Sequence, residues 1–487
     1  MSRSDRTPVS PSDRSAYSEQ VSPFTVLAIA IASAFMAILA ASSANVALPA
    51  IGDALGLKVT VLHWIVTAYM IAFMVAIPAA GWLADRRGAR PVMLGSLGLF
   101  GIGSLICALA PTSEMLIAGR IVQGFGASAI MPVSMILVTA AFPPERRGRA
   151  LGIWLVGAVV GPILGPTVGG LLVEYATWHW VFGMNVPLAA LVLAYAAMKL
   201  PAKAERDTSS KFDALGFGLL AGGGIASVVA LAELRGESLP PAVHVAIGVA
   251  GVVLLALFAW RQMNAENPLF PREVLQDGKI RAALTLTVVR SVAMFGPIFL
   301  LPVMLQEVMG YGAKDTGLLI AVGAIAVGVC SPVAGRAIDK MGPRKPAMVG
   351  VVLLAISMWA WHDLGPQSTI WTIVWPQIIR GFGLSLLINA LTVTVLNRSP
   401  EGRSGGGASV LSLTNQLSGA VAIAALNALV ALGLHQAGLV DTDLTGSIAA
   451  AKAFDAAFVV SGVICAFGLV PAFWLPSRLE TATSHES

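Results

Sequence analysis

The sequence predicts an all-α membrane protein: about fourteen spanning helices, in two related six-helix bundles with two extra helices inserted between them. Three observations carry that reading. The chain of 487 residues is 56% hydrophobic and only 12% charged, with a mean hydropathy of +0.80. A soluble domain carries roughly 25% charged residues, so this surface belongs in lipid. The apolar residues fall in runs long enough for helices to cross a bilayer, whereas barrel strands would be half that length and alternate. The second half of the chain also repeats motifs of the first at a nearly constant interval.

The first 22 residues are polar, rich in Ser and Arg, and lack the short apolar core of a cleaved signal, so they read as a disordered cytoplasmic tail. Apolar runs follow near 24–48, 61–83, 91–110, 114–141, 150–173 and 180–200, the N-terminal bundle within 23–200. Runs near 213–235 and 242–261 belong to a linker with two extra helices, 201–265. Runs near 281–305, 315–338, 346–363, 367–396, 405–433 and 453–475 form the C-terminal bundle within 266–476, before a short cytoplasmic tail, 477–487.

Orientation follows from the basic residues. With a cytoplasmic N-terminus, 24 of the 31 lysines and arginines fall on the cytoplasmic side and four, Lys58, Arg235, Lys314 and Lys452, on the other. Such asymmetry expects both termini in the cytoplasm. It also accounts for the net charge of +5 without nucleic acid. Cys107, Cys330 and Cys465 lie inside apolar runs, so no disulfide framework is expected, and the six histidines show no metal-ligand spacing. No GxxxxGK[ST] phosphate loop is present, which excludes a primary pump in this chain. No nucleophile–base pair marks a membrane-embedded enzyme, and no cofactor is expected beyond a proton gradient.

The repeat is legible in particular residues. "GWLADRRGAR" from Gly81 returns as "GRAIDKMGPRK" from Gly335, with Asp85 and Asp339 separated by 254. Pro49 aligns with Pro302 at 253, and Arg120 with Arg380 at 260. Two related six-helix bundles are the plan of a secondary transporter, with the substrate site at midplane between them. In the first motif Gly81 and Gly88 permit close contact and a tight turn. Asp85 can sit against the N-terminus of a neighbouring helix, and Arg86 and Arg90 can bond helix-end carbonyls or Asp85. Asp339 and Lys340 hold the matching places. A topogenic basic loop is the alternative for a single copy; two copies favour a gate. In "GAVVGPILGPTVGG", Pro162 and Pro166 kink the fifth helix, and Gly161, Gly165, Gly169 and Gly170 give it a smooth face for another helix.

These motifs resemble the fourteen-helix drug:proton antiporter family of the major facilitator superfamily. "GWLADRRGAR" is similar to that superfamily's loop between helices 2 and 3, with Ala89 where a basic residue is usual. "IAGRIVQGFGAS" is similar to the helix 4 motif and "GPILGPTVGG" to the antiporter motif of helix 5. The resemblance covers nearly the whole chain after residue 24. It implies the major facilitator fold and a proton-coupled exporter of amphipathic compounds in a bacterial inner membrane. The implied partners are a small-molecule substrate and membrane lipids; a periplasmic adaptor is left open. Where the family's first helix usually carries an aspartate this sequence has Ala40, which removes the residue commonly tied to proton or cation coupling and counts against both proton coupling and a preference for cationic drugs.

Arg120, Arg290 and Arg380 are the three basic residues inside predicted spans, and no acidic residue lies in the middle of one. An arginine at mid-bilayer costs about 2.5–3.5 kcal/mol on insertion scales. Arg120 is expected to bond backbone carbonyls and neighbours such as Gln123 or Asn45, with Arg380 its counterpart. Arg290 is expected to line the central cavity. Asn45, Tyr69, Asn389, Asn415 and Gln416 are candidate cavity donors, with interhelical hydrogen bonds as the alternative. The expected function is export of lipophilic or amphipathic compounds, the alternative an organic-anion carrier using the arginines. On topology, cysteine tags in 201–212 and at both termini should label from the cytoplasm, and tags near 236–241 and 436–450 from the periplasm. Periplasmic labelling at residue 205 would overturn the fourteen-helix order.

Overall fold

The computed structural model describes residues 21–57, 59–201, 212–232, 240–400, 403–439 and 444–478. The expected tails and most of the 201–212 linker lie outside them. Fourteen main helices run in chain order: α1 Pro23–Leu55, α2 Val59–Arg87, α3 Ala89–Ala108, α4 Ser113–Ala141, α5 Pro144–Tyr175 and α6 His179–Lys199. Then come α7 Ala214–Ala232, α8 Pro241–Asn264, α9 Gly278–Val308, α10 Ala313–Met341, α11 Arg344–Trp359, α12 Ile370–Arg398, α13 Ser404–Gln436 and α14 Ile448–Phe473. Among the described residues there is no strand. Twelve of these helices are long and apolar enough to cross a membrane. The other two are α7 and α11. The run at 346–363 looked like a full span, but helix α11 stops at Trp359 and the chain continues in turns through Asp363.

Local chemistry sets the boundaries. Helix α1 outruns its expected end at 48, carrying Pro49 inside it, and stops where Gly56 takes φ +61. A left-handed residue is a common helix terminator, and glycine adopts it without a Cβ clash. Asp277 caps α9, accepting from the N–H groups of Lys279 at 2.7 Å and Ile280 at 3.0 Å. Helix α6 breaks at Met184, three residues before Pro187, whose missing N–H withdraws one helical bond. Helix α9 ends in a π-helical turn, Met304–Val308, directly after Pro302 and Val303.

The two bundles are built alike. In the first, α1 packs on α5, α2 on α4 and α3 on α4; in the second, α9 packs on α13, α10 on α12 and α11 on α12. Each pair is the other shifted by eight helices. Helices in lipid gain little from burying apolar surface against each other, so small residues that let backbones approach carry the packing. A Cβ on Gly126 would lie 2.3 Å from the Phe100 amide nitrogen, and one on Gly103 2.4 Å from that of Gln123.

The bundles meet through α2 with α13 and α5 with α10, again symmetry partners. These contacts lie toward the face where α1 begins and α14 ends. Near that face the central helices are sealed: residues 126–139 of α4 and 380–397 of α12 include none that is exposed. Toward the opposite face the same helices expose Ile121 and Phe125, and Trp371 and Ile378. The inserted α7–α8 pair lies against α2 and α13, with Trp82 on Phe212 at 4.9 Å between ring centroids. Asp213 and Arg261, 2.8 Å apart, tie α7 to α8.

Candidate functional site

Two features stand out: a pair of bridges across the sealed face, and three buried arginines. The first bridge joins α2 to α13. Asp85 is 8% exposed. Its Oδ1 accepts from the Gly405 N–H at 2.6 Å and its Oδ2 from the Gly406 N–H at 2.8 Å. The first N–H groups of a helix have no partner within it, and the aligned peptide dipoles favour an anion there. The second bridge joins α10 to α5. Asp339 accepts from the Gly148 N–H at 2.8 Å and from the Arg149 N–H at 2.9 Å. Hydrogen bonds to a charged group contribute about 1.5–3 kcal/mol each when buried.

Glycine makes both bridges reachable. A Cβ on Gly81 would stand 2.5 Å from the Gly405 carbonyl oxygen, and one on Gly335 2.2 Å from that of Gly148. After each aspartate the chain turns through a glycine with positive φ, Gly88 at +91° and Gly342 at +73°. Around the bridges, Arg90 donates to the Ala197 carbonyl at the end of α6 at 2.7 Å, and Arg86 lies over the Trp82 ring at 5.2 Å. Lys340 is exposed.

The glycine face of α5 works within one bundle rather than between two. A Cβ on Gly161 would meet Ile38 at 2.9 Å, one on Gly165 Ser42 at 2.5 Å and one on Gly169 the Ser43 carbonyl at 2.8 Å. That face therefore seats α1. Gly170 looks onto Val46 at 3.9 Å, Pro162 is exposed, and the side chain of Pro166 lies outside the described set. The contact with α10 falls earlier on α5, at Gly148 and Gly152.

The arginines differ in how fully they are met. Arg120 on α4 is 0% exposed. It donates to the Ile65 carbonyl at 3.0 Å and to Gln123 Oε1 at 2.6 Å, and Gln123 in turn donates to the Ser104 hydroxyl at 2.8 Å. Tyr69 lies beneath the guanidinium, 4.1 Å from ring centre to Cζ, so it is a buried packing partner, not an open donor. Arg380 on α12 donates to Gln377 Oε1 at 2.6 Å and to the Ala293 carbonyl at 3.2 Å. Arg290 on α9 donates to Asn415 Oδ1 on α13 and to the Met294 sulfur at 3.2 Å. Arg290 is 6% exposed. Its Nε and the Nε2 of Gln377 are buried without a hydrogen-bond partner.

Asn389 donates to the Ser331 hydroxyl and the Ser385 carbonyl, the interhelical role. Asn45 is exposed, while Asn415 and Gln416 are half-buried. Ala40 is 1% exposed. Gln377, Ser104 and Asn397, which accepts from Arg147, escaped sequence reasoning, because an isolated polar residue in an apolar helix carries no periodic signal. The amides opposite Asp85 and Asp339 did leave one. "ERRGRA" from Glu145 answers "EGRSGG" from Glu401 at an interval of 256, close to that of the aspartates.

A family profile described as Major Facilitator Superfamily matches residues 30–423. The chain belongs to the major facilitator superfamily. Among its relatives is the multidrug export protein EmrB of Escherichia coli (strain K12), 31% identical over 403 residues, 81% of this chain and 78% of that protein. An uncharacterized MFS-type transporter of Mycobacterium tuberculosis is 31% identical over 473 residues, 93% of this chain and 81% of its own length. A solved structure of the proton:xylose symporter XylE aligns with a TM-score of 0.67, covering 96% of this chain and 98% of that one. At 12% identity that likeness speaks to the fold alone. As a major facilitator the chain is a multi-pass membrane transporter of small molecules and not an enzyme.

In this transporter the Arg120 network is a built unit, and its parts should not be separable. Gln123→Leu removes the acceptor of Arg120 and the donor to Ser104, and should cost about 2–3 kcal/mol of stability. The loss should appear as a lowered unfolding midpoint in detergent, while Gln123→Glu, which keeps an acceptor, should hold near wild type. Equal midpoints for the two variants would show that the side chain only fills space.

Proposed function

We propose that this transporter exports lipophilic or amphipathic compounds by alternating access, coupled to the proton gradient, from the inner membrane of a bacterium with both termini in the cytoplasm. The pair of bridges carries the reading. Asp85 holds the start of α13 and Asp339 the second turn of α5, each in the opposite bundle, at symmetry-related places on one face. Releasing both would let the bundles part there and close elsewhere. The bridged face is then the cytoplasmic gate in its closed state, in agreement with the concentration of basic residues on that side. Support for efflux comes from the relative named as a multidrug export protein.

Coupling does not run through the family's helix 1 carboxylate, because that position holds Ala40. In this reading a protonatable group at the gates or on the substrate carries the coupling. An adaptor would dock on the face opposite the bridges.

Asp85→Asn keeps the shape of the bridge but removes its charge and turns one acceptor into a donor. Losing about 2 kcal/mol from one bridge shifts a two-state access equilibrium by about 30-fold. Thiol labelling of a cysteine at Ser409, beside the seam, should rise in Asp85→Asn, and further in Asp85→Asn with Asp339→Asn, while vesicle transport falls. Unchanged labelling and wild-type turnover in the double variant would return the motif to a topogenic loop.

A further inference from the structure

We infer that the cluster of Arg290, Arg380, Gln377 and Asn415 in the C-terminal bundle seats an anionic group on the substrate: a carboxylate, sulfonate or phosphate borne by an apolar body. The inference rests on the transport reading above and names the substrate class.

The three buried guanidiniums are unequal. Arg120 is met by a carbonyl, a glutamine and a tyrosine ring. Arg380 is met by Gln377 and by α9 carbonyls. Arg290 has one amide oxygen and one thioether, a weak acceptor, and its Nε is left over. The residues that carry the unmet donors are linked through one turn of α9. Arg380 reaches the carbonyls of Ala293 and Met294, Arg290 reaches the sulfur of Met294, and Gln377 holds Arg380 with its oxygen while its Nε2 has no partner. Two positive groups thus share one turn of α9. The carboxylates on and just before that helix lie at its ends, where Asp277 caps the start and Glu307 sits exposed in the last turn.

A buried charge with no counter-ion is unfavourable, and a guanidinium offers a planar fork that matches an oxyanion. An anion arriving here gains two positive charges and two unused donors, whereas a cation meets repulsion. The way in lies along α13, where Asn415, Gln416 and Ser418 are only half-buried. The repeat adds an independent argument. Arg120 and Arg380 answer each other across the repeat, whereas Arg290 has no counterpart. The interval that aligns Pro49 with Pro302 places Ala37 opposite Arg290. A charge kept in one bundle and absent from the other is what a single asymmetric ligand requires.

The test uses three ligands on one naphthalene skeleton, bearing a sulfonate, a sulfonamide or a trimethylammonium group, titrated calorimetrically into the purified chain. The sulfonate should bind at least about ten-fold tighter than the ammonium. Arg290→Gln should weaken sulfonate binding by at least about ten-fold and leave the sulfonamide within about three-fold. Asn415→Asp should supply the missing counter-charge; it guards against misfolding of Arg290→Gln and should also lower sulfonate affinity about ten-fold. Equal binding of the three ligands by wild type, no sulfonate binding up to millimolar, or unaltered sulfonate binding in Asn415→Asp overturns the inference. Flux of the sulfonamide in vesicles separates the two readings. Flux without charge preference sinks only the anion site, whereas absence of flux for every ligand sinks the export reading.

Discussion

A carboxylate accepting from N–H groups in the first two turns of a helix in the other bundle is the interaction on which the sealed face depends. At Gly405 and Gly406, the second and third residues of α13, those groups have no partner within the helix. At a buried seam water is excluded, so each needs an acceptor from the protein. Asp85 supplies both acceptors and is itself buried in doing so, whereas Asp339, half-buried, accepts from Gly148 and Arg149 in the second turn of α5. The arrangement also explains why glycine and aspartate occur together in the motif. Gly81 and Asp85 are four residues apart, on one face of α2, as are Gly335 and Asp339 on α10. The glycine brings the backbones close enough for the aspartate to reach. A side chain in place of the glycine would hold the backbones apart, and loss of the Asp85 carboxylate would leave the Gly405 and Gly406 N–H groups unpaired.

The symmetry of the two bundles pairs the bridges and is broken in their surroundings. The α2–α13 seam is backed by α7 and α8, where Met74 and Ile77 share an apolar cluster with Leu220, Val410 and Leu413. The α5–α10 seam has no such cover among the described residues. The two paired bridges thus stand in unequal settings, so rehydrating one does not demand the same rearrangement as the other. The inserted helices are accordingly more than a spacer between the halves: they add apolar contact to one seam only.

Much of this was legible in the sequence, and what was not has a common cause. Composition and run length gave the helices because lipid imposes its own thickness on them, whereas helix ends depended on capping groups such as Asp277 and on Gly56. The paired motif gave the places of Asp85 and Asp339 because repetition is visible without knowing any contact. The partners of the arginines were hidden, since contact depends on helix rotation and neighbours distant in the chain: Asn415 lies 125 residues from Arg290, and Ser331 58 from Asn389. For the same reason the α5 glycine face was legible as a packing surface but not as the seat of α1. Tyr69 and Asn389 illustrate the limit from the other side. Each is polar in an apolar helix, and only its neighbours decide whether it faces a cavity or a partner.

The bridges and the Arg290 cluster draw on the same property of the membrane interior. Low dielectric strengthens every satisfied charge contact and penalises every unsatisfied one. At the sealed face the charges are satisfied, so exclusion of water holds the bundles together. At Arg290 one charge is incompletely satisfied, so exclusion of water leaves a demand that a ligand can meet. In the cycle proposed here, wetting a seam weakens a bridge and drying the centre strengthens the hold on an anion. Access and binding are then coupled without a wire between them, because both answer to where water is admitted. Ala40 fits this arrangement: a carboxylate in the buried first helix would add a permanent anion to a bundle interior that otherwise leaves the neutralising role to the cargo.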